Sequence, residues 1–115
     1  MATYSVQTIV ASGIIPAYAA VAASDQFKID SAQRHFLHVK NGGGGSINVT
    51  VNVVKTSANV PGLGQVTIED IVVAVGAGAE KMIGPISDFY ATAAGMVVID
   101  YSGTSSVTAA AFRLG

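Results

Sequence analysis

The sequence contains no cysteine, so disulfides, thiolate metal sites and cysteine nucleophiles are excluded. Charge is scarce: Asp, Glu, Lys and Arg make up 11% of the chain, against roughly 25% in an ordinary globular protein. The net charge is −1 and the basic residues form no cluster, so the electrostatic footprint of non-specific nucleic-acid binding is missing. Long apolar runs are missing too. Hydrophobic residues make up 50% and the mean hydropathy is +0.53, yet no stretch approaches the roughly 20 continuous apolar residues that span a bilayer. The most apolar N-terminal stretch, Ala11 to Ala23, contains Gly13 and Pro16 and follows no Lys or Arg, unlike the charged start of a signal peptide. Neither a membrane nor a nucleic acid is expected as a partner.

What remains is 115 residues of short apolar runs and glycine, enough for one core. A chain of this mass buries about 65% of its extended surface on folding, which suffices without metals or cross-links. With so few charges, its surface is either wetted by uncharged polar groups or covered by neighbouring subunits. Composition leaves both open; we favour assembly, because exposed apolar surface is a liability on a monomer and an interface in an oligomer.

The clearest periodic segment is Ile47 to Val54, where Ile47, Val49, Val51 and Val53 alternate with Asn48, Thr50 and Asn52, predicting a strand with one wet face. Arg34 to Lys40 precedes it, and the glycine run Asn41 to Ser46 between the two predicts a hairpin loop built on positive φ. Val66 to Val75 predicts one long strand after the Pro61-Gly62-Leu63-Gly64 turn, with a bulge or double-sided burial where Ile71, Val72 and Val73 break alternation. Glu80 to Ile86 carries Pro85, which suits a sheet edge or strand end. Met96 to Tyr101 and Ser106 to Leu114 follow, the latter with Val107, Ala109, Ala111 and Arg113 on one face and Thr108, Ala110, Phe112 and Leu114 on the other. Asp88 to Ala94 is the one place for a helical turn. Thr3 to Ala11 predicts a strand, and Ile14 to Ala23 an extended arm or a short helix, with Pro16 favouring the former.

Seven or eight short strands between glycine-rich turns predict an all-β fold: a single antiparallel β-sandwich, jelly-roll or Greek-key like, with an extended N-terminal segment. Residues 1–24 are the arm or first strand, and residues 25–115 the sandwich body.

Motifs for chemistry are few. His35 and His38 are the only histidines, and at that spacing a strand sends them to opposite faces, so they cannot share a metal; one partly buried and one exposed histidine are expected. Glu69 and Asp70 diverge in the same way on a strand, and the remaining carboxylates are read as solvated charges or turn caps. Gly76-Ala77-Gly78-Ala79-Glu80-Lys81 lacks the spacing and the final Gly-Lys-Ser/Thr of a phosphate loop. Asn41 to Ser46 leads into a strand, with no helix dipole for an anion. No catalytic triad can be read from local spacing. The expectation is no enzyme, no cofactor and no metal.

Several segments together carry a resemblance. They are Gly13-Ile14-Ile15-Pro16-Ala17-Tyr18, Asp25-Gln26-Phe27, Phe36-Leu37-His38-Val39-Lys40-Asn41-Gly42-Gly43, Ile83-Gly84-Pro85-Ile86 and Gly95-Met96-Val97-Val98-Ile99-Asp100-Tyr101. Over residues 13 to 113 the chain resembles small all-β proteins encoded among the virion structural genes of tailed bacteriophages, some of which are capsid decoration, or cement, proteins. The resemblance implies a non-enzymatic protein on the capsid surface, assembled in the bacterial host cytoplasm. There it would bind the major capsid protein, reinforce contacts between capsomers and form a homo-oligomer, a trimer being favoured. The alternatives are a neck, tail or fibre-attachment component, or a soluble glycan-binding sandwich module; for the last, most aromatic rings are expected in the core. Ile14, Ile15, Pro16 and Tyr18 are the candidate assembly interface, because an extended arm can add a strand to a neighbour's edge.

Overall fold

Alternation of apolar and polar residues becomes two packed sheets. The structure, a computed structural model, describes residues 2–29 and 35–114. In chain order the strands are β1 (Thr3–Tyr4), β2 (Gln7–Ile9), β3 (Ala19–Ala20), β4 (Ser24–Lys28), β5 (His35–Asn41), β6 (Ile47–Val51), β7 (Ser57–Val60), β8 (Gly64–Thr67), β9 (Ile71–Val75), β10 (Glu80–Ile86), β11 (Met96–Tyr101) and β12 (Val107–Leu114). One 3₁₀ turn, Asp88–Tyr90, falls inside the stretch where a helical turn is expected. Arg34, at the start of the strand expected over residues 34–40, and the carboxylate Asp30 lie outside the described residues.

Sheet A has the order β1-β4-β11-β6-β9, and sheet B the order β10-β5-β12-β2 with β3 also on β12. Most pairs are antiparallel; the exceptions, β1 on β4 and β2 on β12, both belong to the N-terminal segment. The N-terminal segment thus enters both sheets, with β1 in one and β2 and β3 in the other. The expected single strand from Thr3 to Ala11 is replaced by these two short ones, because Tyr4 and Gln7 are claimed by partners in different sheets.

Between the sheets lies one apolar core. Sheet A contributes Phe27, Val49, Val51, Val75, Val97 and Ile99, and sheet B Leu37, Val39, Ile83, Val107, Ala109 and Ala111. Burying side chains such as Phe27 or Leu37 stabilises the fold by about 1.5–3 kcal/mol each. Alanine is a poor strand former, yet Ala109 and Ala111 lie in the middle of sheet B, facing the core against sheet A, where burial outweighs propensity.

Eight of the strands form four nested antiparallel pairs: β4 with β11, β5 with β10, β6 with β9, and β7 with β8. This nesting corrects three expectations. The glycine run does not close a hairpin: β5 lies in sheet B and β6 in sheet A, so the chain crosses between sheets there. Nor do those glycines supply positive φ. A Cβ on Gly43 would stand 2.8 Å from the Ser105 carbonyl oxygen, so close approach to the β11–β12 connection is what demands glycine. Asn41 fixes the corner, its side-chain amide donating to the carbonyls of Gly45 at 2.8 Å and Val75 at 3.1 Å.

The expected long strand Val66 to Val75 is likewise two strands, β8 and β9, interrupted at Ile68-Glu69-Asp70. Asp70 instead accepts the Val53 amide at 2.7 Å, turning the chain back toward β6. Glu69 and Asp70 are therefore loop residues and not strand neighbours. β9 itself alternates regularly, and the apparent break in its pattern is Val72, an apolar side chain on the wet face.

The N-terminal end is tied down by a buried polar cluster. Asp25 is fully buried and accepts from the amides of Ala2 (2.8 Å) and Ala22 (3.0 Å) and from the Tyr4 hydroxyl, which also meets the Tyr101 hydroxyl at 2.9 Å. Burial raises both phenols above their ordinary range, reinforced at Tyr4 by its bond to Asp25, so both stay neutral.

Candidate functional site

The outer face of sheet B is built from residues that alternation turns away from the core: Phe36, His38 and Lys40 of β5, Ala110 and Phe112 of β12, and Met82 of β10. Cross-strand register sets Phe112 beside Phe36, and His38 between Ala110 and Met82. Phe36 and Phe112 stack with centroids 5.5 Å apart. Gly84 lets β10 pass close to the other side of Phe36, since a Cβ there would lie 2.7 Å from the Phe36 Cβ.

A loop from Val10 to Ala17 rises over this face. Gly13, at φ 87°, donates its amide to the Val10 carbonyl at 2.9 Å and turns the chain. The side chain of Gln7 then closes the loop as a strand would, donating to the Ala17 carbonyl at 2.8 Å and accepting the Ala17 amide at 2.9 Å. Tyr18 follows and lies down on the sheet. Its hydroxyl and His38 Nδ1 share a hydrogen bond of 2.6 Å, its ring meets Phe112 edge-on at 6.1 Å, and Lys40 Nζ sits 4.0 Å from the ring centroid. Burial, and then the nearby Glu80 carboxylate, push the Tyr18 phenol upward, which keeps it neutral. His38 Nε2 stands 3.4 Å from Glu80 Oε1.

Both histidines are buried, His35 at 1% exposure on the core side and His38 at 6% on the outer side. The opposite-face expectation matches this geometry, while the expected exposed histidine is covered by Tyr18 and its neighbours. Among the described residues, no three His, Asp or Glu side chains gather where they could hold a metal, and no helix is long and apolar enough to cross a membrane.

Between loop and sheet runs an apolar groove of about 260 Å³. Ile14 and Pro16 wall it from the loop together with Tyr18. Phe36, Phe112 and Met82 supply its floor and far side, and Ile9 lies at the base of the loop. Of the four residues picked from sequence, three therefore share one site. Ile15 does not line the groove; it projects from the loop at 94% exposure. Phe36, Phe112 and Met82 were absent from the sequence-based set. Their signal was available, since apolar side chains fall on both faces of residues 36–40 and 107–114 where a half-wet strand would carry polar ones.

The aromatic rings divide evenly. Tyr4, Phe27, Tyr101 and Phe112 are buried, while Tyr18, Phe36, Phe89 and Tyr90 are half-buried, so the expectation of mostly core rings is only half met. The chain matches no protein-family model, no curated protein and no solved structure.

Proposed function

We propose that the chain is a non-enzymatic structural protein of a tailed-phage virion, which binds the outer capsid surface and reinforces contacts between capsomers as a homo-oligomer. The observation that carries this reading is the apolar outer face of sheet B. A groove of aromatic, aliphatic and Met side chains, overhung by a loop bearing Ile15, is a surface suited to protein contact.

Connectivity supports the same reading. Four nested antiparallel pairs are the pattern of a rolled-up hairpin, so we read the body as a jelly roll, an architecture found in viral capsid and lectin domains. The lectin alternative is weaker here. A sugar needs an open aromatic platform, whereas Tyr18, Phe36 and Phe112 pack against one another and Phe112 is buried.

Counting the chain in purified particles by quantitative mass spectrometry tests the proposal. Hundreds of copies per particle are expected for a protein of the shell lattice. About a dozen would move it to the neck or tail, where ring symmetry sets the number, and absence from particles would overturn the virion reading.

A further inference from the structure

The innermost of the nested pairs projects from the body. β7 and β8 pair with each other, from Ser57 opposite Thr67 to Val60 opposite Gly64, and with neither sheet. Their base is anchored, the Ile68 amide donating to the Thr56 carbonyl at 2.7 Å and the Tyr90 hydroxyl to the Glu69 carbonyl at 2.9 Å. Their far end is bare: every residue of β8 is exposed, and Leu63 in the turn is 76% exposed. No charged residue occurs from Thr56 to Ile68. A two-stranded hairpin is marginal in water by itself, and an uncharged one with a leucine at its tip gains most from being covered.

The groove on sheet B is the complementary feature. No charged side chain lines it, and its 260 Å³ lies below the roughly 300–1,000 Å³ of small-molecule pockets, a size for one or two inserted side chains. We infer that the β7–β8 tip of one copy, led by Leu63, seats in the groove formed by Ile14, Phe36, Met82 and Phe112 of a second copy. Self-contact is favoured because a single interface covers both apolar features of each chain. A foreign partner in the groove would leave Leu63 bare, and one on the hairpin would leave the groove open. A net charge of −1 presents little repulsion between copies. Tip and groove are different surfaces, so the contact is head-to-tail, and repeating it closes a ring if the rotation permits. It deepens the homo-oligomer part of the proposed function but needs no capsid.

The test is sedimentation or light scattering of the full chain in solution, with circular dichroism to confirm folding. The wild type is expected to run as a closed oligomer. Leu63→Asp, which spoils the tip, and Met82→Asp, which spoils the groove, are each expected to weaken self-association about thirtyfold or more, as loss of a central interface residue does. Should Met82→Asp fail to fold, Ile14→Asp, on the loop outside both sheets, replaces it. An equimolar mixture of tip and groove variants is expected to form a heterodimer and nothing larger, because one intact tip and one intact groove remain. A monomeric wild type, variants that assemble like the wild type, or a mixture that stays monomeric would each overturn the contact. Those outcomes leave capsid binding standing, and absence from particles leaves the contact standing.

Discussion

The two outer faces of the sandwich are made by the same alternation and carry opposite chemistry. On sheet A the outward positions include Gln26, Asn48, Thr50 and Asp100, and their side-chain bonds are polar and exposed: Asn52 donates to Asp100 at 2.9 Å and Gln26 to Thr3 at 3.1 Å. On sheet B the outward positions include Phe36, Phe112 and Met82 beside His38 and Lys40, with Tyr18 folded over them. The first face behaves as protein surface. The second is a partial second core, closed on one side by the N-terminal loop and open on the other. A face that keeps apolar side chains where solvent would ordinarily select polar ones marks where the molecule meets something else.

The sharpest way to break this contrast is to truncate one residue on each face. Phe112→Ala is expected to destabilise by about 3–5 kcal/mol in urea unfolding, since the ring is 4% exposed, whereas Thr50→Ala on sheet A should stay within about 0.5 kcal/mol. Equal losses would mean that the outer face of sheet B is ordinary surface. Gly84→Ala comes next: its Cβ would collide with Phe36, and a cost of about 1–3 kcal/mol is expected, with the Phe36 and Phe112 ring resonances shifted in NMR spectra. Gln7→Ala removes the clamp on Ala17 and should cost about 1 kcal/mol, and the larger change should be faster proteolysis within residues 10–17. Unchanged cleavage would show that Tyr18 alone holds the loop.

The smallest effect belongs to sheet A. Hydrogen bonds from Asn52 and then Ser24 hold the Asp100 carboxyl below its usual value of 3.8. A depressed carboxyl contributes stability that is present above its unfolded pKa and is lost as pH falls through the folded one. Asn52→Ala should therefore bring the NMR titration of Asp100 back toward 3.8 and cost a small amount of stability at neutral pH, small because the pair is exposed, that vanishes at low pH.

Much of the strand content was legible because it is local. The Ile-Asn-Val-Thr-Val alternation of β6 and the two faces of β12 follow from period two alone; Val107, Ala109 and Ala111 do share one face as read, and the structure makes it the core face. Long-range choices were not legible. A glycine run looks the same whether it closes a hairpin or crosses between sheets, and here the deciding contact is Gly43 against Ser105, distant in sequence. β7, Ser-Ala-Asn-Val, alternates over only four residues, too short and too weakly apolar a run to stand out, and its one partner is β8. Half of the groove was readable from its odd N-terminal segment. The other half lies on strand faces that a one-sided reading assigns to water.

The position of β12 has a consequence for biosynthesis. It is made after every strand it pairs with, yet it sits in the middle of sheet B, with β5 on one side and β2 and β3 on the other. Until it is made, those early strands have no partner on that side, and their open backbone edges are the kind that capture other chains. Sheet B is thus completed only when Val107–Leu114 inserts, and a ribosome stalled before Val107 would hold an adhesive half-sandwich in place of a smaller folded domain.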